Sequence, residues 1–181
     1  MQKIPTMFVR DETQKGHPVT NQIKPECQWV LDGEGTATRK WDGTNVKVAW
    51  GVLQKRQKPK ARDYDEASYV ECRRDDPADK WAFEAFDADV SVPDGIYELV
   101  GPKVQGNPHR FPAHALISVT APSLITIIET PFPRTFDAIR AVLEASVFEG
   151  IVFHHPDGRM AKIKRRDFGL KWPTPESGGT R

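Results

Sequence analysis

Val147-Phe148-Glu149-Gly150-Ile151-Val152-Phe153-His154-His155-Pro156-Asp157-Gly158-Arg159-Met160-Ala161-Lys162-Ile163-Lys164 is the stretch that decides the fold class. Two β-forming runs, Val147–Phe153 and Arg159–Ile163, flank Pro156-Asp157-Gly158, whose residues favour the tight reversal of a hairpin. Upstream, Thr135 can cap a helix in which Phe136, Ile139, Val142 and Leu143 recur at helical spacing. Before that, Ala113–Val119 and Leu124–Ile128 are β-rich and separated by Pro122-Ser123, and Ile96–Val100 follows the turn signal Pro93-Asp94-Gly95. Residues 54–80 read as charged loops, with a short helix near Trp81–Phe86. Val46–Trp50 alternates with period two, and Val52-Leu53 extends it. Many strands and few helices predict an α+β fold built on antiparallel sheets. The polar first 25 residues, with Pro5, Pro18 and Pro25, are expected to be an arm wrapped on the domain. Residues 173–181 are expected to be a flexible tail.

The 181 residues suit one domain, expected over 1–172, and 38% hydrophobic with 28% charged residues excludes a chain too polar to fold. Lys and Arg number 26 against 25 Asp and Glu, so a uniformly polyanion-coating protein is excluded while a local basic groove is not. Cys27 and Cys72 have no metal-like spacing and suit a reduced, cytoplasmic compartment rather than a disulfide scaffold. No apolar run is long enough to span a bilayer, and Met1–Arg10 lacks the core of a signal peptide.

Four segments carry chemistry. In Arg39-Lys40-Trp41-Asp42-Gly43-Thr44, just before a strand, Lys40 is a candidate nucleophile. An amine attacks phosphorus or carbonyl carbon only when unprotonated, which requires lowering a lysine pKa by about 3 units from about 10.4. In Tyr97-Glu98-Leu99-Val100-Gly101, Glu98 stands in an otherwise apolar strand, where a carboxylate is costly to bury without a partner. Facing water at a sheet edge is the simpler reading of Glu98 alone. Glu149 is likewise a single carboxylate among strand residues. In Ala161-Lys162-Ile163-Lys164, period-two alternation puts both ammonium groups on one face, a poor arrangement unless an anion sits between them; phosphate is the natural one.

In this order, Lys-x-Asp-Gly, strand Glu, Glu-Gly-Ile-Val and Lys-x-Lys resemble the covalent nucleotidyltransferases: ATP-dependent RNA and DNA ligases and mRNA capping enzymes. Gly106-Asn107-Pro108-His109 and His114-Ala115-Leu116-Ile117 narrow the resemblance to small 5′-to-3′ RNA ligases of the RNA ligase 1 type, from about Gly33 to Trp172. The resemblance implies an ATP-grasp-like nucleotidyltransferase domain of antiparallel sheets with flanking helices. Only nine residues follow Trp172, so no C-terminal OB domain is expected.

It also implies ATP as substrate, Mg²⁺ or Mn²⁺, and RNA 5′-phosphate and 3′-hydroxyl ends joined through a lysyl-AMP intermediate. Lys40 would be the nucleophile, oriented by Asp42, with Lys162 and Lys164 neutralising the α-phosphate. Arg39, Gly43, Arg56, Glu98 and Glu149 would complete the nucleotide site. Glu149 and Glu98 would hold metal, and Arg56, Lys58, Arg165 and Arg166 would contact RNA. The adenine-stacking group is expected near His114–Ile117. A monomer with no membrane association is expected.

A minimal DNA ligase or GTP-using capping enzyme, and a catalytically inactive nucleotide- or RNA-binding module, are the alternatives. NAD⁺ use is disfavoured, because no additional N-terminal domain is seen. His154 and His155, adjacent in a strand, point to opposite faces and make a poor joint metal site. The five tryptophans are read chiefly as packing groups.

Overall fold

The computed structural model describes residues 3–57, 68–121, 126–128 and 131–172. In chain order the strands are β1 (Phe8–Arg10), β2 (Val19–Ile23), β3 (Thr36–Lys40), β4 (Thr44–Ala49) and β5 (Val52–Arg56). They continue with β6 (Tyr69–Glu71), β7 (Gly95–Val100), β8 (Ala115–Ser118), β9 (Gly150–His154) and β10 (Met160–Lys164). The helices are α1 (Gln28–Leu31), α2 (Lys80–Asp87) and α3 (Phe136–Ala145). This is the α+β fold of antiparallel sheets that the sequence predicts, with strands outnumbering helices. No helix among the described residues is long and apolar enough to cross a membrane.

The chain forms two compact units. One contains Met1–Ile4 and Trp41–Ile127, the other Pro5–Lys40 and Ile128–Arg181. The boundary falls inside the lysine motif, between Lys40 and Trp41.

In the first unit, β6-β5-β4-β7-β8 make an antiparallel sheet. Alternation gives it two unlike faces. Val46, Val48, Leu53, Tyr97 and Leu99 are buried with Ala82 and Ala85 of α2, where each large apolar side chain contributes about 1.5–3 kcal/mol. Asn45, Lys47, Arg56 and Glu98 occupy the opposite, polar face. The predicted run through Val52-Leu53 is broken. Trp50 and Gly51 both have positive φ (56° and 71°), so the chain turns back and β5 returns against β4.

In the second unit, β10-β9-β3 form an antiparallel sheet in which Lys40 pairs with Gly150 and Gly150 with Lys164. Ala37, Ile151, Phe153, Ala161 and Ile163 are fully buried on one face, with Ile139 and Leu143 of α3 in the same core. The sequence-predicted helix after Thr135 is present, although the Thr135 hydroxyl makes no capping bond.

The N-terminal segment is more than a wrapped arm. β1 and β2 pair, Met7 and Phe8 are buried in this core, and residues 5–7 run along β10: Lys162 donates to the Pro5 carbonyl and Met7 to that of Lys162, each at 2.9 Å. Apolar Met7, Phe8 and Val19, hidden among polar neighbours, supply the burial. Of the predicted β-rich run Leu124–Ile128, only 126–128 lies within the described residues, and the predicted tail 173–181 lies outside them.

Candidate active site

The sheet of the second unit concentrates its lysines on one face. Strand alternation and register put Thr38, Lys40, Val152, His154, Lys162 and Lys164 together opposite the apolar core face. None of these strand residues is acidic. The carboxylate comes from Glu149, just before β9. Its Oε2 accepts from Lys40 Nζ at 2.5 Å and its Oε1 from Lys164 Nζ at 2.6 Å. Burial works against the charged form of Glu149, yet the two ammonium groups prevail and hold its carboxyl below its ordinary value. Burial lowers Lys164 from the usual lysine value, the Lys40 charge adds to the fall, and Glu149 opposes it.

Backbone packing explains Gly150. A Cβ there would lie 2.3 Å from the Ile163 carbonyl oxygen, so only glycine lets β9 and β10 close while Glu149 and Lys164 meet. Thr38 donates to the Val152 carbonyl at 3.1 Å and sits 3.0 Å from His154 Nε2. His155 instead meets Glu34, so the adjacent histidines diverge. Burial pushes the His154 imidazole below its ordinary value.

In the first unit, the rest of the lysine motif is fastened by backbone hydrogen bonds. Gly43 N–H donates to Glu98 Oε1 at 3.0 Å, and a Cβ on Gly43 would fall 2.2 Å from the Leu99 carbonyl oxygen. Asp42 N–H donates to His109 Nε2 at 2.9 Å. The loop that presents His109 is tied by Asn107, which adopts a positive φ of 50° and exchanges two hydrogen bonds with the Phe111 backbone. The His109 and Phe111 rings pack edgewise on Trp41.

Arg56 pairs in register with Tyr69 on the Glu98 face, where the Tyr69 hydroxyl donates to Asn45 Oδ1 at 2.7 Å. Burial raises the Tyr69 phenol, with Arg56 and Glu98 pulling in opposite directions. His109, Asn45 and Tyr69 carried no sequence-level role. The Asn-Pro-His run was the visible trace of His109, whereas nothing local marks Tyr69.

Three expectations fare differently. Arg39 lies on the opposite face of β3 from Lys40, with its guanidinium 5.8 Å from the Phe148 ring centroid. Arg165 does not belong to an RNA-facing cluster. It is 7% exposed and donates to the carbonyls of Leu143, Ser146 and Lys171, capping the end of α3. Arg166 is exposed, and Lys58 lies outside the described residues. In the His114–Ile117 segment, His114 is stacked on Trp81 behind the sheet, whereas Ile117 pairs with Glu98.

The family model described as RNA ligase 1 matches residues 88–178. The chain belongs to the RNA ligase 1 family. It is 32% identical to the rat RNA ligase 1 over 175 residues, covering 92% of this chain and 47% of that protein. Identity to the mouse RNA ligase 1 is 27% with the same coverage, and to the zebrafish RNA ligase 1 it is 35% over 49% of this chain and 30% of that one. The chain thus spans about half or less of the length of these relatives. Within the RNA ligase 1 match fall Glu98, His109, Glu149, Lys162 and Lys164, while Lys40-Trp41-Asp42-Gly43 precedes it.

Proposed function

We propose that the chain is an ATP-dependent RNA ligase that joins a 5′-phosphate to a 3′-hydroxyl through a lysyl-AMP intermediate. The observation that carries this reading is Glu149 bridging Lys40 and Lys164 on a sheet face that also bears Lys162. Cations brought so close favour an anion, and a triphosphate supplies one.

Lys40, as the free amine, forms a bond to the α-phosphorus of ATP and gives up one N–H proton to solvent, while the bond from that phosphorus to the β-phosphate oxygen breaks, releasing pyrophosphate. Lys162 and Lys164 neutralise the charge that builds on the phosphoryl oxygens. An RNA 5′-phosphate oxygen then displaces Lys40, whose nitrogen takes back a proton and leaves as the amine. Finally a 3′-hydroxyl, losing its proton, attacks that 5′-phosphate and AMP departs.

No group of three or more metal-ligating side chains occurs among the described residues. Glu149 is a single, largely buried carboxylate beside two lysines. Such a donor fits magnesium, which takes one or two carboxylates and fills its remaining positions with water and phosphate oxygens. The ion would supply charge neutralisation at the phosphates. Gly43, held to Glu98, and Arg56 would serve the nucleotide, and Arg56 and Arg166 the RNA.

The test is intact mass after incubation with ATP and Mg²⁺, beside Lys40→Ala. One added AMP that is absent from Lys40→Ala is expected, followed by sealing of nicked RNA. A folded chain that gains no AMP overturns the reading.

A further inference from the structure

β10 is an edge of its sheet, and an edge strand leaves a row of outward backbone groups to be satisfied. Near the proposed site those groups belong to Lys162 and Lys164. Lys162 N–H donates to the Pro5 carbonyl, and the Lys162 carbonyl accepts from Met7 N–H, each at 2.9 Å. Lys164 N–H donates to Asp167 Oδ2 at 2.8 Å, and Oδ1 of the same carboxylate accepts from Arg10 Nη2 at 2.5 Å, across 157 residues. The guanidinium is fixed in turn, because its Nη1 donates at 2.8 Å to the carbonyl of His17, in the connection between β1 and β2. One N-terminal segment, Pro5 to Arg10, therefore holds the backbone of Lys162 directly and that of Lys164 through Asp167.

Asp167 does more than close a turn. It is the third residue of the 3-10 turn Arg165–Phe168, and reaching back to the backbone before such a turn needs only an oxygen, which a neutral Gln side chain also carries. Here the oxygen comes as a charge, 1% exposed, with its countercharge drawn from β1. A buried ion pair adds little net stability over uncharged packing, whereas its partners meet in a fixed geometry. That geometry acts at a sensitive point. Lys164 is the last residue of β10, where a strand opens most easily, and its Nζ donates to Glu149 Oε1 at 2.6 Å.

We propose that Arg10 and Asp167 are positioning residues that hold Lys164 at the reacting phosphate, which makes the N-terminal segment a working part of the lysine-bearing face. This rests on the ligase reading for what Lys164 does, and on the hydrogen bonds alone for how Lys164 is held. Without Arg10, the Asp167 carboxylate is left buried and unpaired, turns towards water and releases the Lys164 N–H. The ammonium group then loses its aim while keeping its charge.

The test uses the full chain, with AMP-adduct formation followed by intact mass over time at rising ATP, and hydrogen exchange of the Lys164 amide measured against that of Ile163. Arg10→Gln should lower the limiting rate per folded chain about tenfold, since a misplaced group costs rate even when its charge remains. It should also quicken Lys164 exchange relative to Ile163. Arg10→Lys, which keeps the positive charge, should recover most of both. Val19→Ala opens the same N-terminal core without touching Asp167, and should lower stability while leaving both readouts at the parent level. Asp167→Asn, which removes the buried charge together with the pair, is expected to match Arg10→Gln and replaces it should that variant not fold. A limiting rate or a relative exchange unchanged in Arg10→Gln overturns the proposal, as does a rate loss that Val19→Ala shares. A parent that takes up no AMP overturns the ligase reading instead, and the exchange comparison still decides whether Arg10 holds Lys164.

Discussion

Asp79 and Glu149 are both largely buried carboxylates held by lysine, one in each unit, and their surroundings are opposite. Asp79, 3% exposed, takes Lys55 Nζ on both oxygens at 2.7 and 2.9 Å and the Arg73 N–H at 2.8 Å, while Asp76 accepts from the same lysine. Two acids share one ammonium. At Glu149, two ammonium groups share one acid. The lysines respond accordingly: the hydrogen bond that Lys55 donates to Asp79 raises it above its usual value, whereas burial lowers Lys164 below it. The first arrangement is a lock that ties the 3-10 turn Pro77–Asp79 to β5. The second holds like charges together against their repulsion, a condition that the phosphate of the proposed reaction would relieve. The ion-pair distances are alike, and what separates the two clusters is the ratio of acids to bases.

The largest effect should come from Glu149→Gln, which leaves Lys40 and Lys164 facing each other without a carboxylate. AMP-adduct formation should fall about 100-fold or more, and urea unfolding should show a loss of about 3 kcal/mol. The sign of the pH dependence follows from the depressed Glu149 carboxyl. Its contribution is complete above the ordinary value of about 4.3 and disappears as pH falls through the lower folded value, so the gap between parent and variant should close in acid. A gap that stays constant down to strongly acid pH would show that the pairing is not what stabilises the sheet.

Lys162→Gln should slow adduct formation about tenfold by removing one cation from the lysine-bearing face, with a smaller stability loss than Glu149→Gln. Asp79→Asn sharpens the contrast from the other side. Stability should fall by about 1–3 kcal/mol in denaturant titration, because half-exposed Lys55 regains solvent, while the adduct yield per folded chain stays at the parent level. An adduct lost in proportion to activity, with folding intact, would make the two carboxylates equivalent after all. The smallest change belongs to Thr38→Val, which removes a buried hydroxyl from the lysine-bearing face without touching a charge. About 1 kcal/mol is expected by thermal unfolding.

Much of this was legible because it is local. Period-two alternation alone puts Lys162 and Lys164 on one side of β10, and the Pro-Asp-Gly turn alone brings β10 back against β9. The helical spacing of Ile139 and Leu143 marks α3. Other readings failed where the deciding partner is distant. Arg165 looks like one more cation in a basic run, yet the end of α3 leaves backbone carbonyls that it turns inward to satisfy. The polar first 25 residues read as an arm wrapped on the domain, with no sign of β1 and β2 or of the burial of Met7 and Phe8 in the core. Trp50-Gly51 lies inside an apparently continuous alternation, because period two does not reveal a reversal that a positive φ permits.

The sequence by itself marked the strands with clear β-forming runs, β4, β7, β9 and β10, and which of their side chains share a face, since side-chain direction in a strand depends only on parity. It did not mark β1, β2 or β6, which lie in segments that read as arm or loop. Tertiary structure alone decided that Lys40 and Glu149, 109 residues apart, share a hydrogen bond, and that Asp42 meets His109 across 67 residues. Those contacts depend on which strands pair and in which register, and register is settled by burial of the apolar face over the whole sheet rather than by any short segment.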